Sequence, residues 1–350
     1  MYGKLTLENK YYILWLAFVN FIISNPGDDL MKERNEIDPA LFSTGAHILE
    51  KSNNGTKYQI ECDTPNGTMQ CIHLFPGIDL AYTSFQAFSC FSRNKAMPHI
   101  LEIAYCSAGR YECEYKRDYF TYLGEGDIAI SVLSPHREPP TFPTGLYDGV
   151  ALIVDMSVTG SQFKDIVEGI SIDLSELTSR FCTDRCCTVI KASPELNHVF
   201  QEVCEEKNKK RLGYLRLKAL EIFFLLSEIL PQENLEVSVY YPGSTIRKIK
   251  ELKQELMDSL DTRYSLAEWA ACYGLSLTTM KDCFKAIYGK PIYAFQKEYK
   301  IQMAAQLLLT TQLSISEIAG KIGYSNPNKF SSAFRSIIGM SPREYRNAKK

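Results

Sequence analysis

Histidine is scarce. The 350-residue chain holds five, His47, His73, His99, His136 and His198, and none forms a His-x-His pair. Catalytic metal sites in β-rich domains need clustered His with a carboxylate, so the scarcity argues against a metal enzyme. Nor does any Ser/His/Asp grouping suggest a nucleophile with its base. Cys-x-x-Cys is absent, although there are eleven cysteines. The odd count, and their place within apolar runs, fit reduced buried thiols better than a disulfide framework. The run "YYILWLAFVNFIIS", Tyr11 to Ser24, has 14 residues, short of the roughly 20 that a membrane-spanning helix needs. It follows Lys4 and Lys10, and no clear small-residue cleavage site comes after it. Residues 1–30 therefore stand apart as an apolar leader with three readings: an over-long start with initiation at Met31, a docked or interfacial helix, or a targeting segment.

A charge imbalance is missing only from the total. Net charge is −2, yet Thr245 to Lys350 carries 17 Lys+Arg against 9 Asp+Glu. The remainder is acidic. A basic C-terminal part joined to an acidic one points to a polyanion as partner of the former.

From about Thr56 to Asp155 the chain reads as β: short, partly alternating segments rich in β-branched and aromatic residues, separated by Gly and Pro. Many short strands imply a sandwich or barrel. From about Ser157 the pattern turns helical. "SPELNHVFQEVCEE" opens on a Ser cap with Pro at the first helical position. "YLRLKALEIFFLLSEIL" places Leu215, Leu217, Leu220, Ile222, Phe223, Leu226 and Leu230 around much of one helix, which must pack on a core or on a second subunit. Pro231 to Ser244 reads as a linker. "FCTDRCCTV" sets Cys182 and Cys186 four apart, with Cys187 adjacent and Arg180 and Arg185 nearby. It is either ordinary packing or a thiol- or zinc-responsive cluster.

From Ser265 the chain repeats itself. Ser265-x-x-Glu268 and Ser314-x-x-Glu317 are capping boxes. Each is followed by Ala, 270 or 319, and Gly, 274 or 323, all 49 residues apart. The Gly suits a sharp turn. New caps follow at Ser276 and Asn326, with Pro327 at the first helical position of the second copy. Each second helix has an i, i+4, i+7 core stripe: Met280, Phe284, Ile287, then Phe330, Phe334, Ile337. Both stop at Gly, 289 or 339, before Pro291 or Pro342. Helix, Gly turn, helix is the grammar of a helix-turn-helix, and here it occurs twice. The stripes turn Thr278, Thr279, Lys281, Asp282 and Lys285 outward in the first copy, and Asn328, Lys329, Ser331, Ser332 and Arg335 in the second. Such groups suit base edges and phosphates.

Together, Ala304-x-x-Leu307-Leu308, Glu317-Ile318-Ala319-x-x-x-Gly323-Tyr324, Phe330-x-x-x-Phe334 and Gly339-x-Ser341-Pro342-x-x-Tyr345-Arg346 resemble the AraC/XylS family of bacterial transcription regulators. Lys300 departs from the Arg common in that family, and Asp282 from a face usually rich in Gln and Arg. The resemblance implies a multidomain α+β chain: a cupin-like β-barrel or sandwich for an effector at 31–155, a helical dimerisation segment and linker at 156–244, and an all-α DNA-binding domain with two helix-turn-helix units at 245–350. It implies base contacts by Thr278, Lys281, Asp282, Asn328, Ser331 and Ser332, and phosphate contacts by Lys285, Lys329 and Arg335. Ala270, Gly274, Phe284, Ala319, Gly323, Phe330, Phe334, Gly339 and Pro342 would be structural. Expected partners are promoter DNA, RNA polymerase, an unidentified small molecule and a second copy of the chain, although the same helices could instead pack internally. No cofactor and no catalysis are expected. The alternatives are the Cys182/Cys186/Cys187 sensor and a cupin-type metal enzyme fused to a DNA-binding domain.

Overall fold

A computed structural model describes residues 46–348 except 53–54, 65, 91–96, 117, 134–140, 160, 168, 171, 183–186, 210, 230–237 and 259–263. The apolar leader, Met31, His136, Cys186 and the first half of the expected linker lie outside the described residues. The chain divides into two compact units that meet between Tyr240 and Tyr241. Among the described residues no helix is long and apolar enough to cross a membrane.

The first unit is an antiparallel sheet. Its strands are β1 (Ala46–Ser52), β2 (Gly55–Ile60), β3 (Gly67–Phe75), β4 (Ile78–Phe85), β5 (Met97–Lys116), β6 (Tyr119–Gly124), β7 (Asp127–Leu133) and β8 (Tyr147–Asp155). Helices α1 (Ser161–Ile166) and α2 (Leu174–Cys182), strand β9 (Cys187–Lys191), and helices α3 (Pro194–Glu205) and α4 (Leu212–Glu228) follow. The path runs β1-β2-β3-β4-β8-β5, with β6 and β7 also on β5 and β9 on β7. Among the described residues β1 pairs with β2 and β9 with β7, so the ladder does not close into the expected barrel. The long β5 bends where its register with β8 shifts between Cys106 and Ala108. Gly109 follows at φ +80, and a Cβ there would lie 2.0 Å from the Leu146 carbonyl oxygen. Only glycine meets both demands.

Both faces of the sheet are buried, which is why β5 and β8 read as near-continuous apolar runs. One face, including Leu101, Ile103, Ile128, Ile130, Val150 and Leu152, packs against Leu177, Phe181, Phe200, Leu215, Ile222, Phe223 and Leu226 of the helices. Burial of this order, at roughly 25 cal/mol per Å² of apolar surface, holds the layer together. Helix α4 thus packs internally on one side. Leu217 and Phe224 remain 66% and 38% exposed on the other.

The opposite face has a different character. Ladder partners line up Ala81, Ala151, Ala104 and Ala129 across β4, β8, β5 and β7. Beside this small-residue row stands Glu102, paired across the ladders with Ile153 and Ser131. Ser131 Oγ donates to Glu102 Oε2 at 3.2 Å. Tyr111 packs on the same cluster, stacked obliquely on Phe142 and Tyr147 at 6.0 and 5.6 Å. Glu102 and Tyr111 both keep partial exposure. Burial nonetheless pushes the Glu102 carboxyl up to about 8, with the Ser131 bond opposing, and raises the Tyr111 hydroxyl as well. Both polar groups lie on the sheet face that carries the small-residue row.

The second unit is helical: α5 (Gly243–Asp258), α6 (Leu266–Cys272), α7 (Leu277–Tyr288), α8 (Ile292–Thr310), α9 (Ile315–Lys321), α10 (Pro327–Ile338) and α11 (Pro342–Ala348). Gly243 and Ser244, expected in the linker, open α5 instead. Ile246, Ile249, Leu252 and Leu256 give that helix one buried stripe, and packing of the stripe overrides the weak helix propensity of its first residues.

Two outcomes are expected from the first unit. Gly109→Ala should lower stability by about 2 kcal/mol or more, measured by urea denaturation, because the side chain adds a clash to a strained backbone. The Glu102 carboxyl is held protonated in the folded chain. Its contribution is therefore fully present below the ordinary value of 4.5 and is lost as pH rises through about 8. Glu102→Gln should flatten that decline in urea denaturations run across the window.

Candidate functional site

The site is built twice from the same local rules. Ser265 Oγ accepts from Glu268 N at 3.3 Å, while Glu268 Oε2 accepts from Ser265 N at 2.7 Å. Ser314 and Glu317 repeat the arrangement at 3.2 and 2.7 Å. The Ser backbone N–H holds each Glu below the usual carboxylate range. Gly274 and Gly323 then turn the chain at φ +58 and +81. The second helices start at Ser276, whose Oγ accepts from Thr279 N at 3.0 Å, and at Asn326, whose side chain accepts from Asn328 N at 2.8 Å. Both end on left-handed Gly289 and Gly339.

The stripes do what their spacing requires. Met280, Phe284 and Ile287 are fully buried, as are Phe330 and Phe334. Ile337 is only partly buried. Ala270 and Ala319 are buried at the crossing of each helix pair, and Pro342 is buried at the start of α11. Helix α8 joins the two copies. Its Phe295 meets Phe284 edge-on at 5.4 Å, and its Ile301, Ala304, Ala305 and Leu308 form a core with Ile318, Phe330 and Phe334.

With the core faces fixed, the polar residues have one direction left. Thr278, Lys281, Asp282 and Lys285 are exposed on α7, and Asn328, Lys329, Ser332 and Arg335 on α10. Ser331 is half-buried, and so is Thr279. Thr279 Oγ1 bonds Ser276 Oγ at 2.8 Å, so part of its hydrogen-bonding capacity is engaged at the helix start. The outward groups form two faces of short polar residues and cations. Such faces can accept and donate to base edges and neutralise phosphates.

Two structural details escaped the sequence reading. Ser341 and Glu344 form a third capping box, with bonds of 2.7 and 3.3 Å. The Ser-x-x-Glu spacing was its visible signal. Arg346 donates to the Leu308 and Leu313 carbonyls at 3.3 and 2.6 Å, tying α11 to the end of α8. No local pattern announces that contact.

The cysteine cluster fares otherwise. Cys182 packs with the helix-covered side of the sheet, where its thiol donates to the Ile130 carbonyl at 3.8 Å. Cys187 is buried in the cluster on the opposite face. The sheet lies between them, because Cys182 ends helix α2 on the helix-covered face while Cys187 opens β9 with its side chain on the other. The histidines are likewise dispersed: His73 bonds Asp79 at 3.0 Å, and His47 bonds Glu61 at 3.1 Å. Among the described residues no three His, Cys, Asp or Glu side chains gather as a metal site.

Parts of this chain are similar to known proteins. A family described as "Helix-turn-helix domain" matches residues 269–348. The chain is 29% identical over 149 residues to the HTH-type transcriptional regulator ExsA of Pseudomonas aeruginosa, covering 43% of this chain and 52% of that protein. It is 28% identical over 179 residues to the virulence regulon transcriptional activator VirF of Yersinia enterocolitica, covering 50% of this chain and 65% of that one. The matched stretch thus spans between half and two thirds of each relative's length. Among solved structures, the DNA-binding domain of AdpA in complex with a target DNA is similar at 26% identity and a TM-score of 0.28, covering 29% of this chain and 91% of that one. The C-terminal unit of this chain is an AraC-type helix-turn-helix domain, and the chain's relatives are AraC-family transcription regulators.

Proposed function

We propose that the chain is a sequence-specific DNA-binding transcription regulator that reads two adjacent major-groove segments with two helix-turn-helix units. The observation that carries the reading is the doubled helix pair, in which buried stripes present two different polar faces. Helix α8 has 19 residues, about 28 Å at 1.5 Å per residue. Successive major-groove segments on one DNA face are about 34 Å apart. The helix is a fitting spacer once helix widths are added. Thr278, Lys281, Asp282, Asn328, Ser331 and Ser332 would address bases, and Lys285, Lys329 and Arg335 phosphates. Asp282 would accept from cytosine N4, a contact that its charge permits only away from the phosphates. The protein would act in the cytoplasm as an effector-responsive activator, with RNA polymerase as its further partner and with no catalytic step of its own.

The first unit would be the sensor, a cupin-like half-barrel. Its small-residue row and the carboxyl of Glu102 would make the contact with the small molecule. Helix α4 would carry the second contact. Leu217, Leu220 and Phe224 follow one another at spacings of three and four, with Leu217 and Phe224 exposed. That spacing suits a helix seam between two copies.

Three measurements bear on this reading. In a selection from random DNA with the full chain, Lys281→Ala and Asn328→Ala should each change the preferred bases. Arg335→Ala should weaken binding evenly and reduce the salt slope by about 1. Binding that ignores salt would count against the reading. In sedimentation, Leu217→Asp combined with Phe224→Asp should convert dimer to monomer, and an unchanged mass would remove α4 as the seam. Glu102→Gln should alter a promoter reporter's response to its effector without changing operator affinity in the ligand-free protein. An unaltered response would remove Glu102 from the sensing site.

A further inference from the structure

Cys62 and Cys90 stand opposite one another in an isolated antiparallel bridge. Next to them, Asp63 N donates to the Ser89 carbonyl at 3.1 Å. That bond identifies Cys62 and Cys90 as a non-hydrogen-bonded pair. In such a pair the side chains lie closest and the Cα atoms are about 4.5 Å apart. Disulfides span Cα separations of about 4.4–6.8 Å. The two segments are laced independently of sulfur. The Asp63 carboxylate accepts from Phe88 N at 3.0 and 3.2 Å, and Gln86 N donates to the Asn66 carbonyl at 2.9 Å. The sulfurs therefore need no backbone movement to meet. Their access differs: Cys62 is partly exposed and Cys90 is buried. The Cys62 contact, followed by burial, raises the Cys90 thiol well above its ordinary range.

We propose that Cys62 and Cys90 are an oxidisable dithiol, a modification site that takes a reversible cross-strand disulfide from low-molecular-weight disulfides. The exposed partner starts the exchange. The Cys62 thiolate attacks one sulfur of the small disulfide, whose S–S bond breaks. One thiolate leaves and takes up a proton from solvent. Cys90, once deprotonated, attacks Cys62 Sγ in the mixed disulfide and expels the second thiolate, which is also protonated. Two cysteine thiols are oxidised and one small disulfide is reduced to two thiols. Deprotonation of the raised Cys90 thiol limits the second step, so the exchange accelerates as pH rises. The link would pin the base of the β3–β4 hairpin. The sequence-level candidates Cys182 and Cys187 lie on opposite faces of the sheet. Cys113 and Cys187 do meet, but both are buried, which shields them from the same oxidant.

The proposal stands apart from the DNA reading and is tested without DNA. The full chain is incubated with oxidised glutathione at mildly alkaline pH, then alkylated and peptide-mapped. The expected product joins the Cys62 and Cys90 peptides, disappears with dithiothreitol and has a higher Tm than the reduced protein. In Cys90→Ser, glutathione should remain trapped on Cys62. In Cys62→Ser, Cys90 should be recovered as the free thiol, with no change in Tm. Cys62 and Cys90 recovered unlinked from the oxidised wild-type chain, or linked to other cysteines instead, would overturn the proposal. An equal Tm shift in Cys62→Ser would overturn it too.

Discussion

The burial of two aromatic stripes is the constraint on which the second unit depends. Phe284 in α7, and Phe330 and Phe334 in α10, have no exposed surface, and a helix can bury only one stripe without losing the other face to solvent. Once those rings are seated against α8, the rotation of each second helix is set. So is the direction of every polar residue between the rings. The exposed cations, hydroxyls and amides are thus held by an apolar contact they do not share. A shift of one position in the stripe would turn the outer face inward and leave the cations without water.

What was legible in the sequence was local. Capping boxes at Ser265 and Ser314, glycine turns at 274 and 323, and the αL stops at 289 and 339 depend on residues within a few positions of one another. Each stands where its spacing placed it. Local rules also explain the small departures. Thr279 faces out in the helical wheel, but its hydroxyl is drawn to Ser276 at the cap. Ile337 packs against the rim of the core and keeps some exposure. The start of α5 at Gly243 was hidden because Pro-Gly-Ser reads as a turn, while the stripe that stabilises the helix begins only at Ile246.

In the first unit the succession of strands and then helices was legible, but not how the strands pair, because that organisation is made by register. Ala81, Ala104, Ala129 and Ala151 are scattered through the sequence, and only the ladders place them side by side. Glu102 looks like a solvent-facing residue in an alternating strand. It becomes a half-buried acid because its face of the sheet packs into a core. Cys62 and Cys90 are separated by a hairpin, and pairing of the flanking segments makes them neighbours. Of the clustered cysteines near 182–187, Cys182 at the end of α2 and Cys187 at the start of β9 stand on opposite faces of the sheet, and Cys186 lies outside the described residues. The open edge of the sheet has the same origin: strand count and composition suggest a barrel, but closure depends on which strands meet.

The central claim is that two units with different outer faces read one asymmetric DNA site from one side of the duplex. A hydroxyl-radical footprint of the full chain on a bound promoter fragment tests it most directly. Two protected patches centred about 10 base pairs apart on the same face, with unrelated base sequences beneath them, are the expected result. A single patch, or two patches over inverted copies of one sequence with each copy held by a separate chain, would contradict it.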